Sequence, residues 1–309
     1  MVEGKTRTSA RVERGPRGSL LLWSLVVQVV NDAANTLRNA VPHVVEGPFY
    51  RAVVRELQEH HHRVRCLVHT PGNERMFPDR SVEVHYGSVS DPEALAGAVY
   101  DVEAGIHLVG IIRKSRNRTY DLINRQGVAN VVTAAKEVGV KHFIQVSALG
   151  ATNDAGYPYL YSKWRGDQEV VNSGLSYTIV RPSIMFGPGD EFLNTLAGLV
   201  RTTPVVPVAG SGRNRFQPIA VADMARCLAL TVDREDLKGK TVEIGGPDQL
   251  SYNEVISLIA RTLGKRRLRL HVPVWMMYIA TAILQNVVSR PPVTTDQLKM
   301  IAIRNVAEP

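Results

Sequence analysis

The chain has 309 residues, of which 44% are hydrophobic and 21% charged, and its net charge is +8. This composition excludes an intrinsically disordered chain and is sufficient for one large α/β domain, with or without a small lobe. No run approaches the ~20 apolar residues of a transmembrane helix. The basic sequence 1–18 is followed by the apolar run Leu20–Val30, but no convincing cleavage site supports a signal peptide.

The positive charge is compatible with an anionic ligand, an acidic partner or an anionic membrane surface. It does not indicate a nucleic-acid partner, because the sequence has neither a basic helix with interleaved aromatic residues nor zinc-finger spacing. Cys66 and Cys227 lie far apart in apolar patterns. We therefore expect two buried free thiols in a reducing compartment.

Residues 1–41 show no clear period and form an unassigned N-terminal extension. Within them, Leu20–Val30 is compatible with a buried strand, a short helix or an interfacial segment. Further along, regular alternation of strand and helix patterns predicts a Rossmann-like, doubly wound parallel sheet. We predict a dinucleotide-binding domain over 42–188 and a smaller C-terminal α/β lobe for substrate or partner over 189–309.

The predicted elements of the first domain follow in chain order. An amphipathic helix at Arg51–His60 precedes a strand at Arg63–Val68, and a third strand at Ser81–Tyr86 precedes a helix that Asp91 caps. The remaining elements are a central strand at Ile106–Ile112, a long helix at Tyr120–Val138, and strands at His142–Val146 and Tyr177–Val180.

The second part of the chain predicts helices at Phe192–Val200 and at Tyr252–Leu263, the latter with a capping box from Ser251 and Glu254. Val274–Val288 is apolar nearly all round. This segment is either buried or lies on a membrane or a partner.

A hydroxyl, a phenol and an amine are spaced for proton transfer. Ser147 follows a strand, and Tyr159 and Lys163 stand four residues apart on one helix face. We predict that Lys163 lowers the pKa of Tyr159, that Tyr159 serves as acid or base, and that Ser147 holds the reacting oxygen.

Several motifs fit one family in order and spacing over roughly residues 42–309. They are I-H-L-V-G-I-I at 106–112, N-x-x-G-V-A-N-V-V-T-A-A-K at 124–136, V-S-A-L-G-A at 146–151, Y-L-Y-S-K at 159–163, V-R-P-S-I-M-F-G-P-G-D at 180–190 and R-F-Q-P-I-A-V-A-D-M-A at 215–225. The chain resembles the extended and atypical short-chain dehydrogenases/reductases, in the branch of the NAD(P)H-binding accessory subunit of respiratory complex I.

The resemblance implies a cofactor site and roles for particular residues. Asn124 would brace the active site beside Ser147, Tyr159 and Lys163. The residues expected to contact the cofactor are Gly47, Arg65, His69, Ser88, Val109, Gly110, Lys163, Pro182 and Ser183.

The glycine-rich turn expected before the first helix is altered. Its three glycine positions fall at Val44, Gly47 and Tyr50, so that only Gly47 remains. Either the site has degenerated, or residues 1–50 do not derive from the ancestral reading frame. The first strand would be His43–Val45, or else the Leu20–Val30 run would supply it through a long detour.

No acid stands directly at the end of the second strand to bind the adenosine ribose; the loop that follows reads H-T-P-G-N-E-R. Arg65, His69 and Arg75 lie nearby instead, which favours NADP(H) over NAD(H), with binding weakened by the altered turn. We predict no metal site, because His60, His61 and His62 at a helix end point apart.

Two functions remain open. The first is an NAD(P)-dependent oxidoreductase or epimerase-type enzyme. The second is a non-catalytic nucleotide-binding subunit or assembly factor of a membrane redox complex, of the quinone-linked complex I type. We expect a cytoplasmic protein, and the apolar segment leaves open a position at the periphery of the inner membrane.

Overall fold

The computed structural model describes residues 21–25, 47–77, 81–288, 293–301 and 303–308. The strands are β1 (Leu21–Leu25), β2 (Arg63–Val68), β3 (Glu83–Tyr86), β4 (Ala104–His107), β5 (His142–Val146), β6 (Tyr177–Pro182), β7 (Met185–Phe186), β8 (Val205–Ala209), β9 (Arg215–Phe216), β10 (Ile219–Ala220), β11 (Lys240–Ile244), β12 (Leu250–Ser251) and β13 (Leu268–Val272). The helices are α1 (Gly47–Glu59), α2 (Pro92–Val99), α3 (Gly127–Glu137), α4 (Pro158–Val171), α5 (Phe192–Thr202), α6 (Val221–Val232), α7 (Tyr252–Thr262), α8 (Val274–Val287) and α9 (Thr295–Ile301).

Seven parallel strands form the large sheet, in the order β11-β6-β5-β4-β1-β2-β3. Strand order reverses between β1 and β4, which is where doubly wound sheets bind ligands. The predicted Rossmann-like α/β class is confirmed. Residues Leu21–Leu25 of the N-terminal apolar run supply the central strand, as in the second of the two alternatives for the first strand. The other candidate, 43–45, lies outside the described residues.

Two hydrophobic layers cover the sheet. One packs α1 and α6 on one face, around residues such as Leu57 and Leu228. The other packs α2, α3 and α4 on the opposite face, around Leu95 and Phe143. The residues of both layers are largely inaccessible to water, which explains the continuous apolar character of strands such as β5.

A third cluster unites α5, α7, β8 and β9 around Val206, Phe216 and Ile256. Between these elements the chain returns to the large sheet, since β11 pairs with β6 and α6 packs on α1. The boundary at residue 189 therefore stays a prediction.

Local sequence signals are confirmed in several places. Asp91 accepts hydrogen bonds from the Glu93 and Ala94 backbone amides at the start of α2. Ser251 and Glu254 form the capping box of α7. Both cysteines are free, but only Cys66 is buried; Cys227 is half-buried.

One strand is shorter than its apolar run predicts. Ile106–Ile112 was expected to be extended throughout, but β4 ends at His107. Beyond it, side chains take over the backbone hydrogen bonds: Tyr50 donates to the Leu108 carbonyl, and Asn124 binds both backbone groups of Ile111. The run after β4 is therefore a loop at the rim of the sheet.

Among the described residues, no helix combines the length and hydropathy needed to cross a bilayer.

Candidate functional site

A cavity of about 310 Å³ opens at the carboxyl edge of the sheet, beside the ends of β4, β5 and β6. Its wall contains six of the twelve residues that the sequence indicated for catalysis or cofactor binding. Those lining it are Gly110, Ser147, Tyr159, Lys163, Pro182 and Ser183. The phenol, the amine and the hydroxyl thus border one space.

Lys163 is buried, with 4% of its surface exposed. Its Nζ donates a hydrogen bond of 2.8 Å to the Val146 carbonyl at the end of β5. Burial lowers the pKa of Lys163 to about 8, and the negative charge of Asp167 opposes that shift. The side chain therefore changes charge close to physiological pH.

Tyr159 stands one helical turn before Lys163, and its ring packs edge-on against Tyr120 at a centroid distance of 5.9 Å. Burial raises the pKa of Tyr159 to about 12. The sequence predicted a lowered pKa for this phenol, whereas the pKa here is raised, because desolvation by burial is the dominant influence on it. The phenol is protonated at neutral pH.

Ser147 does not direct its hydroxyl proton into the cavity. Its Oγ donates to Oδ2 of Asp167 over 2.9 Å. Asp167 is fully buried and also accepts from Arg181, at 2.9 Å from the terminal nitrogen. The expected role of Ser147, to hold a reacting oxygen, requires its hydroxyl to turn from this carboxylate.

Asp167 was not among the site residues predicted from the sequence. A signal was present, because Tyr159, Lys163 and Asp167 follow one another at intervals of four residues on α4. Burial raises the pKa of Asp167, while Ser147, Arg181 and Lys163 oppose the rise. Asp167 binds the Ser147 hydroxyl and the Arg181 guanidinium beneath the cavity, and its charge acts on the Lys163 amine.

A second missed group is His107, the last residue of β4. It lies beside Gln145 in the sheet register, and both side chains are fully buried. Burial and the nearby charge of Lys163 lower the pKa of His107 to about 3. The imidazole is consequently neutral at physiological pH.

Asn124 is fully buried in a π-helical segment, Asp121–Gln126, that leads into α3. Its Oδ1 accepts from the Ile111 amide at 2.8 Å, and its Nδ2 donates to the Ile111 carbonyl and to Ser162 Oγ. Ser162 in turn donates to the Tyr159 carbonyl. Asn124 thereby joins the loop after β4 to the first turn of α4, which is the geometry of the predicted brace.

The close approach of α4 to this segment depends on Gly166. A Cβ at that position would lie 2.3 Å from the Asn124 carbonyl oxygen. The glycine therefore fixes the distance between the helix that carries Tyr159 and Lys163 and the segment that braces it.

The comparisons identify the family. Residues 47–232 match the NAD(P)H-binding family model. This chain belongs to the NAD(P)H-binding family. Complex I subunits are among its curated relatives, as the motifs indicated.

Two curated relatives illustrate the range of proteins that the chain resembles. The chain is 30% identical over 171 residues to NADH dehydrogenase [ubiquinone] 1 alpha subcomplex subunit 9, mitochondrial, of Arabidopsis thaliana, covering 55% of this chain and 42% of that protein. It is 33% identical over 175 residues to ceramide reductase of Caulobacter vibrioides, covering 57% and 55%. The chain spans about half the length of these relatives.

Among solved structures, triphenylmethane reductase of Citrobacter sp. complexed with NADP(H) superposes with a TM-score of 0.69 at 18% identity. The match covers 85% of this chain and 90% of that one. This likeness supports the fold.

The cavity-lining residues that the sequence assigned to the cofactor are compatible with NAD(P)H. Gly110 presents no side chain, and Lys163 Nζ would lie 3.4 Å from a Cβ placed there. Pro182 and Ser183 also line the cavity, where Ser183 is held by hydrogen bonds to Gln217 and Ile244. Val109 is buried in the α2–α3 layer and does not line the cavity.

The adenosine end departs from the prediction. Arg65 is buried; its guanidinium donates to the Ala98 and Tyr100 carbonyls and pairs with Glu83 at 3.0 Å. The expectation that Arg65 is free to bind a 2′-phosphate is wrong in this structure, because the side chain ties β2 to α2 and β3. His69 remains half-exposed at the end of β2.

Two other predicted contacts lie at this end. Ser88 Oγ accepts from the Ser90 amide within a turn. Gly47 is the first residue of α1, three residues before Tyr50. The Tyr50 ring is buried between α1 and the sheet, and its hydroxyl donates to the Leu108 carbonyl at 3.2 Å. Tyr50 thus fills space that a glycine would leave open; Val44 lies outside the described residues.

Proposed function

We propose that this member of the NAD(P)H-binding family is a reductase that adds a hydride and a proton to the carbonyl of an apolar substrate. The convergence of Tyr159, Lys163 and Ser147 on one cavity supports this proposal. The reduced nicotinamide would supply the hydride from the Pro182–Ser183 side. The chain's own residues would supply the proton and the surrounding charge.

The proton comes from the phenol. Because the pKa of Tyr159 is about 12, the hydroxyl is protonated and can donate to the oxygen of a carbonyl as that oxygen gains negative charge. The resulting phenolate is stabilised by the Lys163 ammonium. The hydride and this proton together convert the carbonyl to an alcohol. A protonated phenol favours reduction over an epimerase-type cycle that begins with a tyrosinate base.

The substrate would be apolar, since the cavity wall is dominated by hydrocarbon and aromatic side chains. Examples are Leu149, Leu160, Phe192, Phe216, Met300 and Ile303. A hydrophobic ketone, aldehyde or quinone fits this lining. The ion pair between Arg113 and Glu191 adds a polar group at the same wall.

For the cofactor, we propose a preference for NADPH. Sequence 69–73 after β2 contains no carboxylate to bind a ribose 2′-hydroxyl, and His69 is the basic group nearest the strand end. Calorimetry with NADPH and NADH tests this preference, and His69→Asp should reduce or reverse it. Equal affinities in the wild type would contradict it.

Two observations favour a second function. Tyr50 stands at a glycine position of the turn and contacts the loop after β4, and relatives carry the names of complex I subunits. On this reading the protein holds a nucleotide for structural reasons within a membrane redox assembly. Its location would be the membrane periphery.

One pair of measurements separates the two functions. Calorimetry gives the affinity for NADPH, and absorbance at the nicotinamide band gives its oxidation with a series of apolar ketones, aldehydes and quinones. Binding with turnover supports the reductase. Binding without turnover across the series supports the structural role, and the lack of binding to either nucleotide contradicts both.

A further inference from the structure

Helix α8 presents an apolar stripe that no other part of the described chain covers. Trp275, Ile279, Ile283 and Val287 recur every fourth residue and therefore share one face. Their side chains are 65%, 51%, 61% and 78% exposed. None of the residues of α8 is buried. An apolar helix of this kind is ordinarily covered.

The stripe is continued by the neighbouring strand β13. Leu268 and Leu270 alternate with Arg269 and are also largely exposed. Arg269 points the other way and donates to Ser257 on α7. We call the four stripe residues of α8, together with Leu268 and Leu270, the α8–β13 face.

The charge around the α8–β13 face has one sign. Residues 255–295 contain no aspartate or glutamate, but they contain six lysines and arginines. This stretch alone contributes +6 to a chain whose net charge is +8. Lys265 and Arg266 are exposed immediately before β13.

The position of α8 is fixed by contacts at its margins. The Thr295 amide donates to Gln285, and the Lys299 ammonium lies 5.9 Å from the centre of the Tyr278 ring. At the start of the helix, Val274 lies against Gly210. These contacts leave the stripe itself open.

We propose that the α8–β13 face docks on the surface of a bilayer that contains anionic lipid. The helix, about 21 Å long at 1.5 Å per residue, would lie in the interface with Ile279, Ile283 and Val287 among the acyl chains. Trp275 and Tyr278 would sit at headgroup depth, and Lys265 and Arg266 would meet lipid phosphates.

A bilayer fits this surface better than a protein partner does. Apart from the indole N–H of Trp275, the stripe offers no side-chain group that would give a protein interface its hydrogen bonds. Its apolar residues and the flanking positive charge match the two features of an anionic membrane surface, a hydrocarbon layer and a negative potential. Docking requires neither cofactor binding nor turnover. A negative result for docking would therefore leave the reductase proposal unaffected, and the converse also holds.

Vesicle flotation of the full chain tests the docking. Vesicles of phosphatidylcholine alone are compared with vesicles containing phosphatidylglycerol. We expect the protein to float with the anionic vesicles, and Ile279→Asp to weaken this binding at least tenfold. Leu230→Asp is the matched control, because Leu230 is 47% exposed on α6, away from the face.

The charge contribution is tested by Arg266→Glu, with Arg226→Glu on α6 as its control. Arg266→Glu should weaken binding to anionic vesicles severalfold, and the control should not. The proposal is overturned if the wild type does not float, or if Ile279→Asp floats as well as Leu230→Asp. It is also overturned if the wild type is a dimer that Ile279→Asp dissociates, since a second copy would then cover the face.

Discussion

At the scale of single residues, the site depends on a buried carboxylate that the sequence motifs do not include. Asp167 stabilises the charged form of Lys163 and accepts the hydroxyl of Ser147. We infer that it is a positioning residue, which acts on the cavity through its neighbours. The pH at which Lys163 loses its proton is therefore set by burial first and by the charge of Asp167 second.

Replacing Asp167 should shift a pH profile. Because the pKa of Lys163 is about 8, the proposed reductase activity should fall above that pH as the ammonium is lost. Asp167→Asn removes the charge that opposes the effect of burial, so that this fall should begin about one pH unit lower. The measurement is kcat/KM against pH.

The matched control is Glu169→Gln, which removes an exposed carboxylate two residues further along α4 that pairs with Arg125. Its profile should follow that of the wild type. If Asp167→Asn also leaves the alkaline limb in place, then Asp167 does not set the charge of Lys163.

His107 makes a second prediction at this scale, for stability. The folded protein resists protonation of His107 down to about pH 3, whereas the unfolded chain binds the proton near 6.5. Unfolding therefore takes up a proton between these values, and stability falls as the pH decreases through this range.

In His107→Gln this contribution is absent. The free energy of unfolding should fall less steeply below pH 6.5, by up to about 1.4 kcal/mol per pH unit relative to the wild type. Urea titrations between pH 4 and 7 measure it, and His60→Gln at an exposed position is the control. Parallel pH curves for wild type and His107→Gln would refute the assignment.

At the scale of elements, the structural features that depend on local sequence pattern could be predicted from the sequence. The strand–helix alternation, the Asp91 cap and the capping box of Ser251 and Glu254 follow from residues within a few positions of one another. The four-residue spacing of Tyr159 and Lys163 placed both at the cavity for the same reason.

The errors occur where distant segments meet. The predicted cofactor contact of Arg65 was based on its position in a strand, but its guanidinium donates hydrogen bonds to carbonyls at the end of α2. Such partners are set by tertiary approach, which periodicity does not report.

The packing of α4 on the π-helical segment gives a prediction for this scale. Gly166→Ala would place a Cβ against the Asn124 carbonyl, so that α4 must shift. We expect the free energy of unfolding to fall by roughly 1–3 kcal/mol. Thermal and urea unfolding provide the measurement.

Gly198→Ala is the matched control, because Gly198 lies within α5 and a Cβ there meets nothing within 4 Å. That substitution should raise stability by about 0.5–1 kcal/mol, since alanine favours the helix. Equal effects of the two substitutions would mean that the close approach at Gly166 does not hold α4 in place.

At the scale of the whole molecule, helix α9 connects the cavity to helix α8. The cavity is lined in part by α9, through Gln297, Met300 and Ile301, and α9 contacts α8. The proposed bilayer surface is therefore adjacent to a wall of the proposed active site. An apolar substrate dissolved in lipid would suit both.

This arrangement predicts a dependence on substrate hydrophobicity. Within a series of alkyl ketones or aldehydes, kcat/KM should rise up to about fourfold for each added methylene, the equivalent of ~0.8 kcal/mol of burial. The rise should end when the chain fills the cavity of about 310 Å³. Steady-state kinetics without vesicles measures this, and a flat or falling series would argue against an apolar substrate.

The central claim is that Tyr159 gives a proton to the substrate, and kcat of Tyr159→Phe tests it most directly. The control is Tyr161→Phe, which alters a tyrosine two residues away that stacks on Trp164. We predict that Tyr159→Phe lowers kcat by at least about 100-fold while its affinity for NADPH stays at the wild-type value, and that Tyr161→Phe retains full activity. Undiminished turnover in Tyr159→Phe would contradict the account.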